Sequence, residues 1–64
     1  MSGYRKLIGL RNELNIKQKD IAITLGISIK TYSFKERKIS EFTLTEAFKL
    51  MKFFNKSFDE LFGE

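Results

Sequence analysis

The sequence contains no cysteine, no histidine, no proline and no tryptophan, and only four glycines among 64 residues. Without cysteine there is no disulfide, and without histidine as well a zinc site loses its usual ligands. The same two absences remove the commonest general base and the strongest nucleophile, and a chain this short does not enclose a deep pocket. The expectation is a binding module rather than an enzyme, with no cofactor, no metal and no small-molecule substrate. No apolar run approaches the roughly 18 residues of a membrane span, and the N-terminus lacks the charged and apolar regions of a signal peptide. A cytoplasmic protein without a membrane partner is expected. The length allows one domain at most, over residues 1–64, built on one small core.

Hydrophobic residues make up 42% of the chain, with seven Phe and two Tyr, a composition that folds. With disulfides and metal excluded, packed helices are the means left to stabilise so small a core. The net charge of +4 is unevenly placed. Residues 1–39 hold nine Lys/Arg against three acids, whereas residues 40–64 hold three against five. A basic front on an acidic back suits docking on a polyanion.

With no proline and few glycines, helix boundaries must be set by caps. Leu7, Leu10 and Leu14, with Tyr4 and Ile8 beside them, predict a first helix over about residues 3–14, closed by Asn15 in the left-handed conformation. A second helix starts near Lys17, with Ile16 stapled to Ile21, Asp20 in the first turn and an apolar stripe of Ile21, Ala22 and Leu25. Gly26 ends it. Ser28 caps a third helix, Thr43 and Glu46 form the capping box of a fourth running to Asn55, and Ser57 and Glu60 repeat the box for a short fifth. These signals predict a compact all-α domain of five helices.

The stretch Gln18 to Lys38, QKDIAITLGISIKTYSFKERK, places two short helices around a turn containing glycine, which is the helix-turn-helix pattern. Gln18, Ala22 and Gly26 at intervals of four, then Ile27-Ser28 and Glu36, resemble the Cro/CI-type, or XRE, family. The likeness extends to Leu10-Arg11, to Ile16-Lys17-Gln18, and to the ending Ser57-Phe58-Asp59-Glu60-Leu61-Phe62. The run Glu41-Phe42-Thr43-Leu44-Thr45-Glu46-Ala47 is similar to small phage and prophage members. The resemblance implies a lambda-repressor-like fold and a Cro-like repressor in the bacterial host cell, associated with the nucleoid and bound to a double-stranded DNA operator. The absence of an added sensor domain favours Cro over a full CI repressor.

Physical chemistry gives each matching position a reason. Ala22 is small where the two helices of the motif cross, and Gly26 supplies a positive φ at the turn. Gln18 can donate to a phosphate from a helix N-terminus. In this family the DNA-facing positions correspond to Ser28, Ile29, Lys30, Ser33 and Phe34, with Thr31 and Lys35 nearer the backbone. Lys30 is the best candidate for guanine O6/N7, and Ser33 suits a base edge or a phosphate. Ile29 and Phe34 depart from the polar residues usual there and can pack on thymine methyl groups. The alternative is that Phe34 turns inward to join Tyr32, with Lys35 taking its place on the DNA side. Lys38 stands where relatives usually have glycine, and it either adopts a positive φ or changes the helix end. Phe42, Phe48, Phe53, Phe54, Phe58 and Phe62 are read as core with one or two left exposed, and exposure near the C-terminus would suit a homodimer on two half-sites. A second functional class competes: a helical protein-binding module, anti-repressor or antitoxin-like, docking a partner through exposed Ile29 and Phe34.

Overall fold

A computed structural model of the chain describes residues 3–63; residues 1, 2 and 64, at the two ends of the expected domain, lie outside the described residues. Those described form five helices and no strand: α1 Arg5–Glu13, α2 Gln18–Leu25, α3 Ile29–Glu36, α4 Leu44–Phe54 and α5 Phe58–Phe62. The caps expected from the sequence set three of the starts. Ser28, Thr43 and Ser57 each accept, through the side-chain oxygen, the backbone N–H three residues on, at 3.1, 3.1 and 3.2 Å. Glu46 and Glu60 complete their boxes by accepting the Thr43 and Ser57 N–H, both at 2.9 Å. Each such cap contributes about 1 kcal/mol.

The helix ends share one device. Asn15, Gly26, Lys38 and Asn55 adopt φ of 59°, 73°, 66° and 55° after α1, α2, α3 and α4. In every case the next N–H reaches back over the last turn: Ile16 to Arg11 O, Ile27 to Ala22 O, Ile39 to Phe34 O and Lys56 to Met51 O, between 2.8 and 3.0 Å. This is the Schellman closure, which turns the chain sharply without proline. Of the two outcomes expected at Lys38, the structure takes the left-handed one, and the Lys38 ammonium lies 4.7 Å from the centroid of the Tyr4 ring.

All five helices contribute to one buried cluster: Leu7; Ile21, Ala22 and Leu25; Tyr32; Ala47, Leu50 and Phe54; Leu61 and Phe62. Ala22 is buried on α2, which packs against both α3 and α4, so a larger side chain has no room there. Phe42, in the connection before α4, bridges Tyr32, Tyr4 and Phe62 with ring centroids 5.5–6.0 Å apart and so fixes the path between α3 and α4. Only Phe54 and Phe62 of the six clustered phenylalanines are buried. Phe48, Phe53 and Phe58 are exposed, one more than the sequence reading allowed. The reason is helical period: α4 turns Ala47, Leu50 and Phe54 inward, which leaves Leu44 and Phe48 outside, and α5 is too short to bury more than Leu61 and Phe62.

The chain enters α1 two residues later than the apolar pattern suggested, because Gly3 and Tyr4 dock on the end of α3. Tyr4 N–H donates to Glu36 O at 3.0 Å, and Gly3 is buried at φ 109°. A Cβ at Gly3 would stand 3.2 Å from that same carbonyl oxygen and 3.0 Å from Ile8 Cδ1, whereas at Gly26 it would meet nothing within 4 Å. We expect Gly26→Ala to cost about 1–2 kcal/mol from backbone conformation alone. Gly3→Ala is expected to cost more, since contact adds to conformation. Urea unfolding of the two variants compares them directly, and an equal or reversed order would contradict the docking of the N-terminal segment.

Candidate nucleic-acid interface

α2 and α3 are joined by the turn Gly26-Ile27-Ser28, with Gly26 left-handed and Ser28 capping α3. Two residues orient α3. Tyr32 and Glu36, one turn apart, are both buried on its inner side. Glu36 is a fully engaged buried carboxylate whose side chain is only 3% exposed. It accepts Arg11 Nε at 2.7 Å, a second guanidinium N–H at 3.2 Å, Gln18 Nε2 at 2.8 Å and the Tyr32 hydroxyl at 2.8 Å. Arg11 also donates to Ile16 O at 3.0 Å. One carboxylate thus ties α1, the first residue of α2, and α3 together. Burial, followed by the hydrogen bond to Glu36 and its negative charge, pushes the Tyr32 phenol well above its ordinary pKa.

Lys35 leaves the helix sideways. Its ammonium pairs with Glu46 at 2.5 Å, and both side chains are 12% exposed. Lys35, expected near a DNA backbone, is committed in the free protein to the capping box of α4, because that buried carboxylate needs a partner. Burial alone would raise the Glu46 pKa, but donation from Lys35 and from the Thr43 N–H outweighs it and holds the carboxyl below its ordinary value.

The opposite side of α3 faces out. Ile29, Lys30 and Thr31 are exposed, and Ser33 and Phe34 are half-buried. Phe34 lies outside the buried cluster, which removes the inward alternative and the exchange with Lys35 that went with it. Lys30 Nζ and Arg37 Cζ stand 5.8 and 5.5 Å from the centre of its ring. The Thr31 hydroxyl accepts from Ser28 Oγ at 2.8 Å and so belongs to the cap. Gln18 gives one side-chain amide N–H to Glu36, which places the N-terminus of α2 beside the C-terminal end of α3. Lys38 is exposed just beyond that end. Lys30, Ser33 and Phe34 share one outward stripe of α3, while the Lys38 ammonium lies over the Tyr4 ring.

Against known proteins, the Helix-turn-helix family, in its Cro/CI-type or XRE form, matches residues 7–61. The chain belongs to this family. No curated protein and no solved structure gives a significant match. Membership assigns this helix-turn-helix chain to transcriptional regulation through double-stranded DNA, in a family that is typically non-enzymatic. None of its described helices is long and apolar enough to cross a membrane, and the described residues hold no cluster of potential metal ligands.

Two features of this helix-turn-helix site escaped the sequence reading. Arg37 shares a stripe with Lys30 and Phe34, and the 30, 34, 37 spacing was the signal available. The Arg11–Glu36 pair spans 25 residues, and although each residue lay in a recognised motif, nothing in the spacing joined them.

Two predictions follow from the buried contacts. Arg11→Met or Glu36→Leu alone should each cost about 3–5 kcal/mol in denaturant unfolding, because each leaves buried polar partners uncompensated. The double variant should cost clearly less than their sum, and strict additivity would disprove the coupling. Glu46 and Glu60 both sit below their ordinary pKa, Glu60 chiefly through the Ser57 N–H it accepts. A depressed carboxylate contributes stability that is complete above the unfolded-state pKa, about 4.3, and is lost as pH falls through the folded value. Thermal midpoints should therefore fall from pH 5 downward, and Glu46→Gln, less stable at pH 7, should show a shallower fall. An unchanged acid slope would count against the Glu46 pairing.

Proposed function

We propose that the chain is a sequence-specific repressor of the Cro type, from a phage or prophage, that reads the major groove with α3. The observation that carries this reading is the outward stripe of α3, a helix held from behind by Tyr32 and Glu36 and edged by Lys30 and Arg37. In this arrangement Lys30 reaches guanine O6/N7, and Ser33 serves a base edge or a phosphate. Ile29 and Phe34 pack on thymine methyls. Gln18, the first-turn N–H groups of α2, and Lys38 hold phosphates, while Ser28 and Thr31 at the N-cap stay near the backbone. The likeness of residues 41–47 to small phage proteins supports the Cro-type assignment.

Such domains read paired half-sites, and the second copy has a surface to use. Leu44 and Phe48 on α4 are 75% and 62% exposed, and Phe58 on α5 is exposed beside them. None of these residues belongs to the proposed DNA contact, so both surfaces can be occupied together. A homodimer on a symmetric operator, with half-sites about 34 Å apart, is the assembly proposed.

Titration on a duplex selected from a random library tests the whole reading. The log of the binding constant should fall steeply with log salt concentration, whereas an anti-repressor or antitoxin-like domain docking protein through Ile29 and Phe34 would show little response. We expect Lys30→Ala to weaken specific binding by about 1–3 kcal/mol and to relax preference at one base pair. Gln18→Ala should weaken all sequences alike. Unchanged affinity and preference in Lys30→Ala would remove α3 as the reader, and a footprint over one unrepeated site would remove the dimer. In transcription from a promoter overlapping the selected site, added protein should lower transcript yield; a rise would refute repression.

A further inference from the structure

The reading stripe of α3 pairs an aromatic ring with a cation in a way that narrows what it can recognise. Phe34 is half-buried, yet it belongs to no core cluster. Lys30, one turn earlier on the same stripe, keeps its ammonium 5.8 Å from the ring centroid. A phenyl ring has no donor or acceptor, so at a base edge it can distinguish only an apolar feature. The major groove offers one, the methyl group on C5 of a pyrimidine. An ammonium supplies only donors, and the base edge richest in acceptors is guanine O6/N7. Lys30 and Phe34 stand one turn apart on the same stripe, so in the groove they reach base edges close to one another.

We infer that Lys30 and Phe34 act as one unit that reads a pyrimidine C5-methyl group next to a guanine, and that the methyl group counts whether thymine or 5-methylcytosine carries it. The inference rests on the proposed entry of α3 into the major groove and adds the chemical class of its target. It makes the protein sensitive to cytosine methylation at that step. Arg37, 5.5 Å from the ring centroid on its other flank, lies at the end of α3 with its Nε on Ser33 O, a placement suited to a phosphate rather than a base.

The test uses the full chain and the best duplex from a random library, resynthesised with each thymine in turn changed to deoxyuridine. At one pyrimidine beside a guanine, loss of the methyl should weaken binding about three- to tenfold, the scale of one buried methyl contact. Cytosine at that position should bind more weakly than 5-methylcytosine by a similar factor, which shows that the methyl and not the thymine is read. In Phe34→Ala both ratios should collapse to about one. Because Phe34 lies outside the core, a thermal melt of this variant should show it folded. Lys30→Ala should keep the methyl ratios but tolerate replacement of the guanine. Were wild-type ratios close to one at every pyrimidine beside a guanine while the duplex stays tightly bound, the inference would fall and groove reading would stand. Methyl discrimination that persists in folded Phe34→Ala would overturn it by assigning the methyl contact to Ile29. Failure of the library to enrich any duplex would overturn both.

Discussion

A single buried carboxylate organises the molecule. Glu36 gathers donors from Arg11, Gln18 and Tyr32, and its backbone carbonyl accepts the Tyr4 N–H, so the end of α3 is tied to the N-terminal segment, α1 and α2 at once. Apolar packing alone would leave a helix of eight residues free to roll, since hydrophobic contact is non-directional. Three directed bonds from Arg11 and Gln18 to one side chain are not. They set the rotation of α3 about its axis, and that rotation decides which residues reach outward. Removing the carboxylate would therefore disturb the facing of α3 as well as stability.

The Lys35–Glu46 pair works along the same helix toward the other side. It connects α3 to the first turn of α4, where Glu46 already caps the helix by accepting the Thr43 N–H. The consequence for charge is specific. Two charged residues of α3, Lys35 and Glu36, are neutralised by partners within the fold, and Lys30 and Arg37 lie on its exposed stripe. Seven of the nine lysines and arginines of the first 39 residues stay exposed, spread over α1, α2, α3 and their connections. Exposed positive charge raises the rate and salt dependence of association with DNA.

Local signals made much of this legible in advance. Ser28, Thr43 and Ser57 announce helix starts through hydrogen bonds to residues three positions away, and Asn15 and Gly26 announce ends through one residue's conformation. Such features depend on neighbours in sequence, so spacing reveals them. The outward facing of Ile29 and Lys30 followed from helical period together with the family resemblance. What stayed hidden depends on tertiary placement. Neither the 25-residue reach of Arg11 to Glu36 nor the capture of Lys35 by Glu46 has a sequence period. Lys38 was ambiguous because a non-glycine residue in the left-handed region is tolerated only when other contacts hold it, here the Ile39 N–H on Phe34 O and the Tyr4 ring beneath the ammonium. The surplus of exposed phenylalanine was missed because composition counts rings without saying how many faces a short helix can bury.

The exposed apolar side chains fall into two sets whose surroundings differ, and this difference separates their occupants. On α3, Phe34 lies between the charges of Lys30 and Arg37. An apolar protein surface covering that ring would strip water from both cations without replacing it, a cost that grows with burial. A nucleic acid carries its own neutralising charge to the same place and offers methyl groups between its polar edges. On α4 and α5 the exposed Leu44, Phe48 and Phe58 include no cation, and Tyr4, Phe42 and Phe62 line the groove next to them. There the nearest cation on the α4 stripe is Lys52, one turn beyond Phe48 at its edge. The two surfaces accordingly suit different chemistry: the ring between two cations on α3 favours a polyanion over an apolar protein, whereas the exposed apolar side chains of α4 and α5 favour an apolar partner.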